Sequence, residues 1–118
     1  MKIITLAFTS VLCLPAHLIA ATPTIPSKFL GNWSPAEKCS MFSEYGAPDI
    51  GASVTKTEVI RYENYCTLKS VDSAEDNNFS GSLACIVEGE TFVEKIKLVL
   101  DKNGELSING APPVTRCK

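Results

Sequence analysis

The chain is poor in the side chains that most enzymes rely on. It has one histidine, His17, and that residue falls inside an N-terminal apolar run. Everything after the run therefore lacks Ser-His-Asp and Cys-His nucleophiles, histidine general bases and the commonest zinc and copper ligands. No Cys-x-x-Cys occurs, which excludes a thioredoxin-like redox pair and a zinc ribbon. Arginine is scarce, with Arg61 and Arg116 alone, and the formal net charge is −2. Phosphate-backbone binding needs clustered cations, so nucleic acid is excluded as a partner. No second apolar segment approaches the ~20 residues needed to span a bilayer. Internal repeats and low-complexity stretches are absent.

What is present begins with an export signal. Lys2 supplies the charge, Ile3 to Leu14 is uncharged and apolar, Pro15 breaks the run, and Ala20 and Ala21 are small. That order is the pattern of a secretory signal peptide. We expect residues 1–20 to be removed, with cleavage after Ala20 or Ala21. Cys13 leaves with them, because Leu12 stands where a lipoprotein signal has a small residue. The mature chain then has no membrane anchor. It divides into an extended leader, 21–28, and one domain, 29–118. The expected location is periplasmic or secreted.

Four cysteines remain: Cys39, Cys66, Cys85 and Cys117. An even count in a short exported chain predicts two disulfides, and three pairings are available. The strand layout favours Cys66–Cys85 across neighbouring strands, which leaves Cys39–Cys117 to tie an early helical turn to the C-terminus.

Ser34-Pro35-Ala36-Glu37 carries the signature of a capping box with proline at the first helical position. It predicts a short helix over about 35–42, with Cys39 facing inward beside Trp33. Tyr45 to Gly51 reads as loop. Beyond it the period becomes two. Ser53 to Tyr62 suits a strand, and Tyr65 to Val71 alternates. Asp72 to Asn78 is polar and reads as a long acidic connection. Phe79, Gly81, Leu83, Cys85 and Val87 share one strand face, and Phe92, Glu94, Ile96, Leu98 and Leu100 share another. Asn103-Gly104 marks a hairpin. Pro112 and Pro113 bar a central strand, and Val114 to Cys117 closes the chain as a short one. Short strands separated by turns predict an all-β domain: a small antiparallel barrel or sandwich with one short N-terminal helical turn.

No residue set in this layout is a catalytic centre. Glycosidase carboxylates must face each other across a cleft about 5–10 Å wide, which neighbours at a turn do not supply. The oxygen-rich stretches Asp72–Asn78 and Asp101–Glu105 do not match an EF-hand loop. No cofactor, metal or enzymatic activity is expected. The candidate binding residues lie instead in the predicted loops: Tyr45, Asp49, Asp72, Glu75, Asp76, Glu88 and Glu90. They fit a partner protein in the envelope or outside the cell. The alternative is a small ligand or ion held in a barrel mouth.

The pattern Phe29-x-Gly31-x-Trp33, followed by Cys39, resembles the opening of the small periplasmic β-barrel inhibitors of secreted metalloproteases. The resemblance covers about the first fifth of the mature chain. It departs from that family in its four mature cysteines, one of them next to the C-terminus. The family blocks its target with its N-terminal leader, so the resemblance implies an inhibitory role for Ala21 to Ser27. More broadly, the chain resembles small bacterial exported four-cysteine domains of unassigned function.

Overall fold

A computed structural model describes residues 22–118, so the expected signal peptide and its cleavage point lie outside the described residues. Eight strands follow in order: β1 (Gly31–Ser34), β2 (Ala52–Val54), β3 (Glu58–Arg61), β4 (Asn64–Glu75), β5 (Asn78–Val87), β6 (Glu90–Leu100), β7 (Leu106–Ile108) and β8 (Thr115–Cys117). They form one antiparallel sheet in the order β7-β6-β5-β4-β3-β2-β1-β8. Leu106 and Val114 exchange backbone hydrogen bonds of 2.9 Å in both directions. That single bridge brings the two edges together, and the sheet is a nearly closed barrel. The all-β class and the short helical segment are as expected.

The interior follows from the period-two pattern. Phe79, Gly81, Leu83 and Cys85 on β5 and Ile96 and Leu98 on β6 are buried, and alternate residues on β6 face solvent. Phe29, Trp33, Val59 and Leu106 complete the core. Trp33 keeps its indole N–H satisfied by donating to the Phe29 carbonyl at 3.0 Å. The Arg116 guanidinium lies 4.3 Å from the Trp33 ring centre and donates to the Leu30 and Lys28 carbonyls. One arginine is thereby used to fasten β8 and the chain entering β1.

Both disulfides form, Cys39–Cys117 and Cys66–Cys85. The second joins residues directly opposite each other on β4 and β5. The first closes a separation of 78 residues. Two disulfides are consistent with an oxidising, exported environment.

Three local expectations are corrected. The helix does not begin at Pro35, whose ψ of 142° is extended; a 3₁₀ turn runs Ala36–Lys38 and the α-helix, α1, is Met41–Tyr45. No capping box forms. Ser34 belongs to β1, and its hydroxyl donates to the Pro35 carbonyl at 2.7 Å. The stretch Ser53 to Tyr62 is two strands, not one. The Thr55 hydroxyl accepts from the Thr57 and Glu58 amides, which turns the chain between β2 and β3.

Asp72–Asn78 is not a long loop. β4 continues to Glu75, β5 starts at Asn78, and only Asp76 and Asn77 form the turn. The strand survives its polar sequence because cross-strand contacts hold it. Lys95 pairs with Asp72 at 3.0 Å, the Ser73 and Ser80 hydroxyls lie 2.9 Å apart, and Lys28 pairs with Asp76 at 2.9 Å.

An antiparallel meander places its connections alternately at two ends. The segment after β1, the β3–β4 turn, the β5–β6 turn and the β7–β8 loop share one end, which we call the mouth. The leader, the β2–β3 turn, the β4–β5 turn and the β6–β7 turn share the other.

Candidate functional site

The mouth holds a bowl of about 690 Å³, lined among others by Ile50, Arg61, Tyr62, Asn64, Ile108 and Pro113. Its position follows from the fold. Arg61 and Asn64 face each other at the ends of β3 and β4, and Tyr62 and Glu63 make the turn between them. Glu63 takes a φ of 53°, so this tight two-residue turn fixes Tyr62 on the rim. Gly51, with φ 115°, passes directly over the Trp33 carbonyl and brings Ile50 to the opposite rim. Ile50 and Tyr62 are 50% and 53% exposed, and Tyr65, Ile86 and Val93 elsewhere on the sheet are exposed to a similar degree.

Arg61 dips inward from the rim. Its Nη2 donates to Glu94 Oε2 at 2.7 Å, and both side chains are mostly covered. Nη2 also lies 3.7 Å from Cys66 Sγ, so the pair rests on the Cys66–Cys85 disulfide. Among the described residues, the buried Arg61 Nε has no hydrogen-bond partner. Cys66, Cys85 and Glu94 stand close enough to suggest a metal cluster. The two sulfurs are bonded to each other, however, and leave no thiolate to donate. The bowl thus has an apolar wall and a charge-balanced floor.

The sequence-selected residues divide between the two ends. Asp49 lines the bowl, and its carboxylate accepts from Lys38 Nζ at 2.9 Å. That hydrogen bond holds the Asp49 carboxyl below its ordinary value of 3.8. Glu88, with φ 51°, and Gly89 form the β5–β6 turn at the mouth end, and Glu90 opens β6 beside it. Tyr45 ends α1, and its side chain lies outside those described. Asp72, Glu75 and Asp76 belong instead to the β4–β5 hairpin, whose tip lies at the far end. Glu75 borders a smaller recess of about 340 Å³ with Ser73 and Lys97. Asp76 takes a hydrogen bond from Lys28, which lowers its carboxyl from 3.8. The structure therefore brings Asp49, Glu88 and Glu90 to one end and leaves the other three acids at the opposite one.

From the sequence, Tyr62 reads as core rather than interface, Arg61 as either a partner anchor or half of an ion pair, and Glu94 and Ile50 are not singled out for the site. One signal was available for Glu94: it is the charged member of the inward-facing row Phe92, Glu94, Ile96, Leu98. A charge in such a row calls for a partner, and Arg61 is one of the chain's two arginines. No protein family, curated protein or solved structure matches this chain, so its site is read from its own geometry.

Proposed function

We propose that this chain is a non-enzymatic, exported protein-binding module that engages its partner at the barrel mouth. The observation that carries the reading is the rim itself. Two large apolar side chains, Ile50 and Tyr62, stand half exposed on either side of a bowl floored by an arginine. Tyrosine and arginine are among the residue types that concentrate binding energy at protein interfaces. The rim rests on a scaffold stiffened by two disulfides, so little order has to be gained on binding.

The partner class we favour is an envelope or extracellular hydrolase, with this chain as its inhibitor. Export, small size and the resemblance of Phe29-x-Gly31-x-Trp33 to metalloprotease inhibitors support it. The mode would differ from that family's. Ile25 is buried and its amide donates to the Lys56 carbonyl at 2.8 Å, so the leader is tied down at the end away from the mouth. Deleting Thr22–Thr24 is then expected to leave binding intact.

A second reading, a small-ligand or ion carrier, draws support from the bowl's volume, which falls in the usual range for ligand sites. The filled interior weighs against it. Phe29, Trp33, Phe79 and Leu83 are fully buried and fill the barrel, so a ligand would sit only at its mouth. Small-molecule sites usually cover about 70–90% of their ligand. The test is affinity capture from envelope and extracellular fractions with the oxidised protein and with a variant carrying Ile50→Ser and Tyr62→Ser. The reading expects one protein retained by the former and lost from the latter. Equal retention by both, or none by either, would count against it.

A further inference from the structure

The outer face of the sheet is not uniform. Toward the mouth, Ile60 stands opposite Tyr65, and Tyr65 opposite Ile86. Ala84, the next outward residue of β5, stands opposite Val93. Tyr65, Ile86 and Val93 are 60%, 51% and 58% exposed. Toward the other end the same face is polar, with Ser73 opposite Ser80 and Ser80 opposite Lys97. Apolar side chains exposed singly on a surface are ordinary, whereas a contiguous group bordered by polar residues marks a contact surface. Here cross-strand neighbours on β3, β4, β5 and β6 form one such group.

The group adjoins the mouth. Tyr65 follows the β3–β4 turn that carries Tyr62, and Ile86 precedes the β5–β6 turn. β4 and β5 are neighbours in the sheet, so these two turns lie side by side. Each places a glutamate between the rim and the apolar face: Glu63, with φ 53°, and Glu88, with φ 51°. Both are exposed, and among the described residues neither has an ion-pair partner. The cations of the same strands do not answer them. Arg61 pairs with Glu94 and Lys95 with Asp72, and Lys69 lies on the part of β4 away from the mouth.

We propose that the partner of the barrel mouth also covers the outer face at Tyr65, Ile86 and Val93, and that it carries lysines or arginines that meet Glu63 and Glu88. The inference rests on the reading of the mouth as a protein-binding end and adds to it the partner's chemistry, an apolar surface beside a basic one. The argument is one of desolvation. A protein seated on both the rim and the face covers the two turns between them. Carboxylates taken from water without a counter-charge are costly, so the partner has to supply the cations. A second copy set turn against turn brings the same glutamates instead, and like charges brought together reject such a pairing.

The experiment is site-specific photo-crosslinking. A photoreactive phenylalanine analogue is placed at Tyr65 in one protein and at Tyr62 in another, and each is illuminated in the cells that produce it. Both positions are expected to give an adduct with the same protein, through peptides that contain lysine or arginine. Adding Glu63→Lys and Glu88→Lys together is expected to lower both yields at least about tenfold while circular dichroism stays unchanged. Glu63→Gln with Glu88→Gln serves if the lysine variant fails to fold, and is expected to lower both yields several-fold. An adduct from position 62 alone would leave the mouth reading standing and overturn this one. An adduct from position 65 alone, or from neither position, would overturn both. Yields indifferent to the charge changes would remove the basic partner, and an adduct between two copies of this chain would assign the face to self-association.

Discussion

Arg61 on β3 and Glu94 on β6 form an ion pair of 2.7 Å although β4 and β5 lie between their strands. The pair crosses the barrel interior just beneath the bowl and helps to hold its walls at their spacing. Removing one partner leaves the other charged and largely covered. Arg61→Met is expected to cost about 2–3 kcal/mol, below the ~3–5 kcal/mol of a fully buried pair, because both side chains keep about a fifth of their surface. Joining it to Glu94→Leu is expected to recover most of the loss. A urea-denaturation double-mutant cycle checks this, and strictly additive losses would contradict it.

The two disulfides should differ in weight. Cys39–Cys117 spans 78 residues and Cys66–Cys85 spans 19. In the chain-entropy description they contribute about 4.5 and about 3 kcal/mol. Replacing each pair with alanine and comparing denaturation midpoints tests the order. Because Cys39–Cys117 also ties β8 to the 3₁₀ turn that follows β1, its loss is expected to speed amide exchange at Thr115–Cys117 first.

Two glycines carry the close approaches of the backbone. A methyl group at Gly51 would collide with the Trp33 carbonyl, and one at Gly81 with the Ser70 carbonyl. Gly51→Ala and Gly81→Ala are each expected to destabilise by at least ~3 kcal/mol. Gly104→Ala meets no neighbour and bears only its positive φ of 79°, so about 1–2 kcal/mol is expected. Thermal melts of the three variants give the comparison. Equal losses would contradict it.

Asp49 and Asp76 both titrate below 3.8 through hydrogen bonds from Lys38 and Lys28. A carboxyl depressed in the folded state adds stability above its unfolded value, and that stability is lost as pH falls through the lower folded value. Lys38→Met and Lys28→Met remove the cause. Side-chain carbon resonances followed by NMR are expected to show each aspartate moving up toward 3.8, with no effect on the other. The pairs lie at opposite ends of the barrel, so cross-talk would contradict the account.

Much of the fold is legible in the sequence where one strand face is buried and the other is not. Phe79 to Cys85 and Ile96 to Leu98 announce their faces by alternation, and the facing of Cys66 and Cys85 follows from the strands they occupy. The β4 extension escapes notice because it runs beyond β3. With solvent on both faces, Lys69 to Glu75 has no alternation to read, and its order comes from Asp72, Ser73 and Asp76 bonding to distant residues. The helix start is misplaced because Ser34 is claimed by β1. The mouth is the least legible part, since Ile50, Tyr62 and Arg61 gather there only when the β1–β2 segment and the β3–β4 turn meet. Acidic composition draws attention to Asp72, Glu75 and Asp76 instead, and these lie at the end away from the bowl.

The central claim is that the mouth, and not the leader end, meets a partner protein. Site-specific photo-crosslinking tests it most directly. A photoreactive phenylalanine analogue is placed at Tyr62 on the rim, and in a separate protein at Lys102 in the exposed β6–β7 turn at the far end. Both are illuminated in the cells that produce the protein. The account predicts one higher-mass adduct from position 62 and none from position 102. An adduct from position 102 alone, or equal adducts from both, would contradict it.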